Sequence, residues 1–172
     1  MQMQRTELSI ACEGLLFRIL QNERGQERGF VVALFSPNPG AGVTQITNAL
    51  VEALCRDRDG FAISLCGRQL KNANSWHGRQ SLFATLHAVR DQYPYALIDC
   101  GSLAETHAVV RLAPLVDGVI LVVEANRTQK EQILYAQRTI EGVNGRILGH
   151  VLNKRTYAIP DWCHRVMTSV GL

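Results

Sequence analysis

"SPNPGAGVTQ", residues 36–45, decides how this chain is read. Prolines and glycines crowd between two apolar segments of different period. Before it runs "FVVALFS", residues 30–36, a short β-rich stretch with the pattern of a strand buried on both faces. After it runs "GVTQITNALVEALCR", residues 42–56, with Ile46, Leu50 and Leu54 four apart on one helical face. Residues 36–45 are therefore a turn from a strand into a helix.

The same alternation continues along the chain. "FAISLC" (61–66), "YALIDC" (95–100), "DGVILVVEA" (117–125) and "RILGHVLN" (146–153) read as strands. "SLFATLHAVRDQY" (81–93), "LAETHAVVRLAPL" (103–115) and "RTQKEQILYAQRTIEGV" (127–143) read as helices between them. An N-terminal helix is expected within residues 1–24, from "ELSIACEGLLFRIL", and a short helix in the tail 155–172, from "IPDWCHRVM". Strands alternating with helices predict an α/β fold. The expected architecture is a mostly parallel sheet of about five strands between two helical layers, in a single domain spanning 1–172.

The bulk properties fit that fold. The chain has 172 residues, 47% apolar and 19% charged, with a net charge of +3. That is an ordinary globular composition. The small positive charge, without any basic run, argues against nucleic acid as a partner. No apolar run approaches the ~18 residues of a membrane span. Cys12, Cys55, Cys66, Cys100 and Cys163 include no CxxC pair, so neither a disulfide framework nor a zinc site is expected. The chain opens without the basic start and apolar core of a secretory leader, and a cytoplasmic location is expected.

In an open α/β sheet, ligands sit beyond the carboxyl ends of the strands, and a glycine turn opening a helix there suits a phosphate. The phosphate-loop pattern GxxxxGK[ST] divides the work: backbone N–H groups wrap the phosphates, lysine pairs with their oxygens, and the hydroxyl holds magnesium. Here Pro39, Gly40, Ala41, Gly42, Val43, Thr44 and Gln45 form the candidate nucleotide-binding turn. Thr44 stands at the magnesium position. Pro37 takes the first-glycine position, and Val43 takes the place of the lysine.

Further residues carry a resemblance. "YPYALIDCGSL" is an apolar strand ending in Asp99, and "VDGVILVVEANRTQKEQILYAQRTIE" precedes "GRILGHVLNKR". In this order they resemble P-loop ATPases of the MinD/ParA type. The resemblance is strongest to the bacterial tyrosine kinases and their relatives that regulate capsule and exopolysaccharide synthesis. It implies that Asp99 is the Walker B acid, catalytic and, with Thr44, a magnesium ligand. It also implies that Asn153 lies near a nucleotide base. The implied cofactor is ATP or ADP with magnesium.

The departures from that pattern set the functional expectation. Val43 replaces the lysine. Ser64 and Cys66 stand where the kinases carry the aspartates of DxDxR, leaving Arg68. The ExxRxxR pattern tied to ring assembly falls on Glu7, Ile10 and Glu13, without its arginines. Tyr157 stands alone where the kinases carry a tyrosine cluster. Phosphoryl transfer rests on positioning and charge, so losing three such groups should come close to abolishing it. The leading expectation is a non-catalytic regulator or scaffold of exopolysaccharide synthesis or export, with ATP or ADP held weakly or not at all. Its partner would be a membrane component of that machinery or a related kinase, which would bring it to the inner face of the membrane. A homodimer using Trp76, Trp162 or Tyr157 is a further expectation, since relatives associate across the nucleotide face. Two alternatives stand beside it. One is an active ATPase or kinase in which Arg68, Arg127 or Lys154 replaces the lysine; the other is a MinD-like positioning ATPase.

Overall fold

The computed structural model describes residues 28–57, 62–66 and 79–155. The expected N-terminal helix and C-terminal tail lie outside them, as do Glu7, Ile10, Glu13, Arg68, Trp76, Tyr157 and Trp162. Five strands form one parallel sheet: β1 (Phe30–Ser36), β2 (Ala62–Cys66), β3 (Tyr95–Ser102), β4 (Gly118–Glu124) and β5 (Ile147–Asn153). Their order in space is β2-β3-β1-β4-β5, with every pair parallel. The helices are α1 (Val43–Asp57), α2 (Arg79–Gln92), α3 (Ala108–Leu112) and α4 (Lys130–Glu141). The expected fold class is therefore observed, with a wholly parallel sheet.

β1 is central and all seven of its residues are buried, which accounts for its unbroken apolar run. Its two faces feed two cores. Phe30, Val32 and Leu34 join Tyr95, Leu97, Ile120 and Val122 beneath Ile46, Leu50 and Leu54 of α1. Val31, Ala33 and Phe35 join Ile98, Val119 and Leu121 beneath Leu82 and Leu86 of α2, Val109 and Leu112 of α3, and Ala136 and Ile140 of α4. Each large apolar side chain removed from water contributes roughly 1.5–3 kcal/mol. These layers fix the orientation of every strand end.

Arg90 of α2 and Asp117, just before β4, are both only 14% exposed and tie down the lower end of the sheet. Asp117 Oδ2 accepts from Arg90 Nη1 at 2.6 Å and from the Val31 backbone N–H at 2.7 Å. Arg90 also donates to the Gly29 and Leu115 carbonyls.

Several boundaries differ from the sequence reading: α4, expected over 127–143, runs Lys130–Glu141, α2 starts two residues early, and two further differences have a local cause. β3 runs two residues past Cys100 because the register with β1 slips between Leu34 and Ser36, while Gly101 adopts φ +69°. The helix expected over 103–115 shrinks to α3. Residues 103–106 instead form a turn in which the Glu105 and Thr106 N–H groups donate to the Ser102 carbonyl. Thr106 Oγ1 accepts from the Ala108 N–H, and Pro114 follows α3 closely. Proline lacks the donor that a further turn would need. Among the described residues no helix is long and apolar enough to cross a membrane.

Candidate functional site

The turn after β1 lies at the carboxyl end of the sheet, between β3 and β4. Gly40 and Gly42 adopt φ +84° and +90°, the left-handed region that a side chain strains. Gly42 is doubly constrained, because a Cβ there would lie 2.4 Å from Asn153 Nδ2. Among the described residues, no acceptor answers the backbone N–H groups of Gly40, Ala41, Gly42, Val43 and Thr44. A glycine turn with unanswered N–H groups, continued into a helix N-terminus, is a place for an anion.

Thr44, in the first turn of α1, donates its hydroxyl to Asp99 Oδ2 at 2.5 Å. Asp99 Oδ1 accepts from the Gly101 N–H at 2.9 Å. The two groups assigned to magnesium by the sequence pattern thus meet. Asp99, Leu97 and Tyr95 lie on the α1 face of β3, and their register partners on β2 are Cys66, Ser64 and Ala62. Cys66 is accordingly the neighbour of Asp99 on that face. Among the described residues, no three His, Cys, Asp or Glu side chains gather where they could hold a metal ion. One carboxylate and one hydroxyl offer magnesium a partial oxygen set, the rest left to water and phosphate.

Val43 is 6% exposed and belongs to the core beneath α1, so it presents no polar group to the turn. Pro39 and Gln45 are exposed, and Ala41 is buried. Asn153, 8% exposed at the end of β5, donates Nδ2 to the Ala41 carbonyl at 2.8 Å. Its amide supports the turn from below.

Several participants carry no motif. Asn38 Nδ2 donates to Gln132 Oε1 at 2.7 Å, and the Gln129 N–H donates to the same oxygen, tying the turn to the start of α4. Glu124, at the end of β4, receives Arg127 Nη1 at 3.3 Å and Lys154 Nζ at 3.2 Å. Lys154 Nζ also donates to the Gly40 carbonyl at 2.6 Å. The sequence signal for Arg127 and Lys154 is only that each is a basic residue able to replace the missing lysine. For Glu124 and Gln132 there was none.

Behind Asp99, Cys100 faces the opposite core. Burial, then the neighbouring Asp99 and Cys66, push its thiol pKa far above the ordinary value of 9.0. It is packing, not a nucleophile.

No protein-family model matches the chain, and no curated protein matches it by sequence. Solved structures do match its fold. The VpsO kinase domain is 18% identical, with a TM-score of 0.74 over 90% of this chain and 98% of that one. The BceF tyrosine kinase domain is 13% identical, with a TM-score of 0.65 over 84% and 75%. The kinase domain of the Escherichia coli tyrosine kinase ETK is 11% identical, with a TM-score of 0.57 over 82% and 75%. This chain has the fold of those kinase domains.

Proposed function

We propose that the chain is a nucleotide-binding, phosphoryl-transfer-deficient counterpart of the tyrosine kinase domains whose fold it has. It would act in exopolysaccharide synthesis or export by engaging a protein partner: a membrane component of that machinery or a related kinase. The observation that carries this reading is the composition of the metal side of the turn. Thr44 and Asp99 stand together at 2.5 Å, while Cys66 occupies the strand position beside Asp99 and Val43 is folded into the core.

The retained parts suit holding a nucleotide. The turn's N–H groups would take the phosphates, and Thr44 with Asp99 would take magnesium, which screens phosphate charge. The missing parts are those needed as charge builds during transfer. A donor aimed at such charge contributes about 2.7–4 kcal/mol to catalysis, so its absence slows turnover by about 10²–10³. A chain with these parts signals by occupancy of the turn more readily than by turnover.

Titration of the protein with ATP, with and without magnesium, beside an assay of phosphate release and of autophosphorylation, tests the reading. Binding without turnover supports it. Robust turnover that Asp99→Ala abolishes would overturn it in favour of an active kinase or ATPase. The proximity of Lys154 to Gly40 is the observation that keeps that second reading in view.

A further inference from the structure

Residues 36–45 contain no charged side chain, yet two cations border the turn. Lys154 immediately follows β5 and adopts φ +57°, an uncommon backbone for a side chain of this size. That conformation accompanies an ammonium placed on the Gly40 carbonyl. Arg127 approaches from the loop after β4; a Cβ on Gly40 would lie 3.6 Å from its Nη1. Both cations share Glu124, whose side chain is only 12% exposed, while Lys154 and Arg127 are 46% and 64% exposed. The cluster therefore carries one positive charge beyond the carboxylate it encloses. It borders the same turn whose N–H groups lack acceptors among the described residues.

We infer that Lys154, seconded by Arg127, supplies the phosphate-binding charge that position 43 lacks, entering from the end of β5 instead of from α1. The inference rests on the nucleotide reading above and names the residues that make it work. Lysine serves phosphate as a point charge on a flexible stem, so it can act from a different anchor if the ammonium reaches the same turn. Glu124 holds the two cations in place and competes with phosphate for them. Lys154 is thus a ligand-binding residue, and Glu124 a positioning residue.

The test is calorimetric titration of the full chain with ATP and with ADP, in magnesium-free and magnesium-containing buffer. Lys154→Gln keeps a donor for the Gly40 carbonyl but removes the charge. It should weaken binding at least ten-fold in both buffers and reduce its salt dependence, while Lys154→Arg stays within about three-fold of wild type. Val43→Lys placed in the Lys154→Gln chain should restore affinity, and Glu124→Gln should tighten it. Far-UV circular dichroism checks that each variant is folded. Wild-type affinity in Lys154→Gln, or no recovery on adding Val43→Lys, overturns the inference and leaves the nucleotide reading standing. No binding of ATP or ADP by the wild-type chain at millimolar concentration overturns both.

Discussion

The Thr44 hydroxyl lies 2.5 Å from Asp99 Oδ2, joining residues fifty-five positions apart at the point where α1 meets the end of β3. Parallel pairing of β1 with β3 makes this meeting unavoidable. Leu34 stands opposite Asp99, so the acid emerges beside the turn that ends β1. A hydroxyl donating to a carboxylate in this place holds together the two side chains that the proposed function assigns to magnesium.

Asp99→Asn should therefore remove the magnesium-dependent part of ATP affinity and leave magnesium-free binding nearly unchanged. Hydrogen bonds to charged groups contribute roughly 1.5–3 kcal/mol, so the magnesium increment should fall about ten-fold or more. Calorimetry with and without magnesium reads this directly. An unchanged increment would place the cation elsewhere.

Gly42→Ala should lose both stability and binding. The new Cβ would meet Asn153 Nδ2 at 2.4 Å and would sit at φ +90°. Strain of this kind costs about 1–3 kcal/mol. Displacing the Asn153 amide from the Ala41 carbonyl adds about 1 kcal/mol more. Asn153→Ala alone should cost only the latter. Urea unfolding of the two variants separates backbone strain from the lost bond.

Much of this architecture is legible in the sequence, for a physical reason. Buried parallel strands need unbroken apolar runs, and the run Phe30–Ser36 gives β1 to the residue. A turn that must adopt positive φ needs glycine, which marks Gly40 and Gly42. What escapes is whatever depends on chain segments meeting in space. Glu124 receives Lys154 because β4 and β5 pair Glu124 with Asn153, a register that no local pattern encodes. Arg90 finds Asp117 for the same kind of reason, through the packing of α2 beneath the sheet. The shortened α3 reflects competition: the Thr106 hydroxyl accepts from the Ala108 N–H, which a longer helix would have satisfied with a carbonyl.

Asp117→Ala should destabilise the fold by about 3 kcal/mol. Breaking a largely buried ion pair leaves an uncompensated charge, which is far more costly than a surface pair. Here it also strips the Val31 N–H of its acceptor. The Cm in urea should fall with an unchanged m-value. ATP affinity of the folded fraction should hold, because the pair sits at the opposite end of the sheet from Thr44.

Cys100 should resist alkylation at pH 8 in the native protein, whereas exposed Cys55 reacts. Burial first, then the charges of Asp99 and Cys66, raise the Cys100 thiol pKa, so the folded protein keeps it protonated. A raised folded-state pKa gives stability that is complete below the unfolded value near 9 and is lost as pH climbs above it. The slope approaches about 1.4 kcal/mol per pH unit. Wild type should thus lose stability faster than Cys100→Ala between pH 9 and pH 10.5. Parallel slopes in the two proteins would remove the thiol from the balance.

Cys66→Asp offers the strictest check on the proposed metal side of the site. The parallel register sets position 66 beside Asp99 on the α1 face, so the new carboxylate would join the existing one. Two carboxylates at that range repel each other, and the apo protein should lose about 1 kcal/mol of stability at neutral pH. Magnesium needs oxygen ligands and negative charge, so the same change should strengthen its binding. The two effects have opposite signs in one variant. A thermal melt without magnesium should fall by several degrees, and added magnesium should raise the variant's melting temperature more than that of wild type. A general packing defect at position 66 would lower both melts equally. A carboxylate pair facing the turn would separate them, and combining Cys66→Asp with Val43→Lys should bring back measurable phosphate release from ATP.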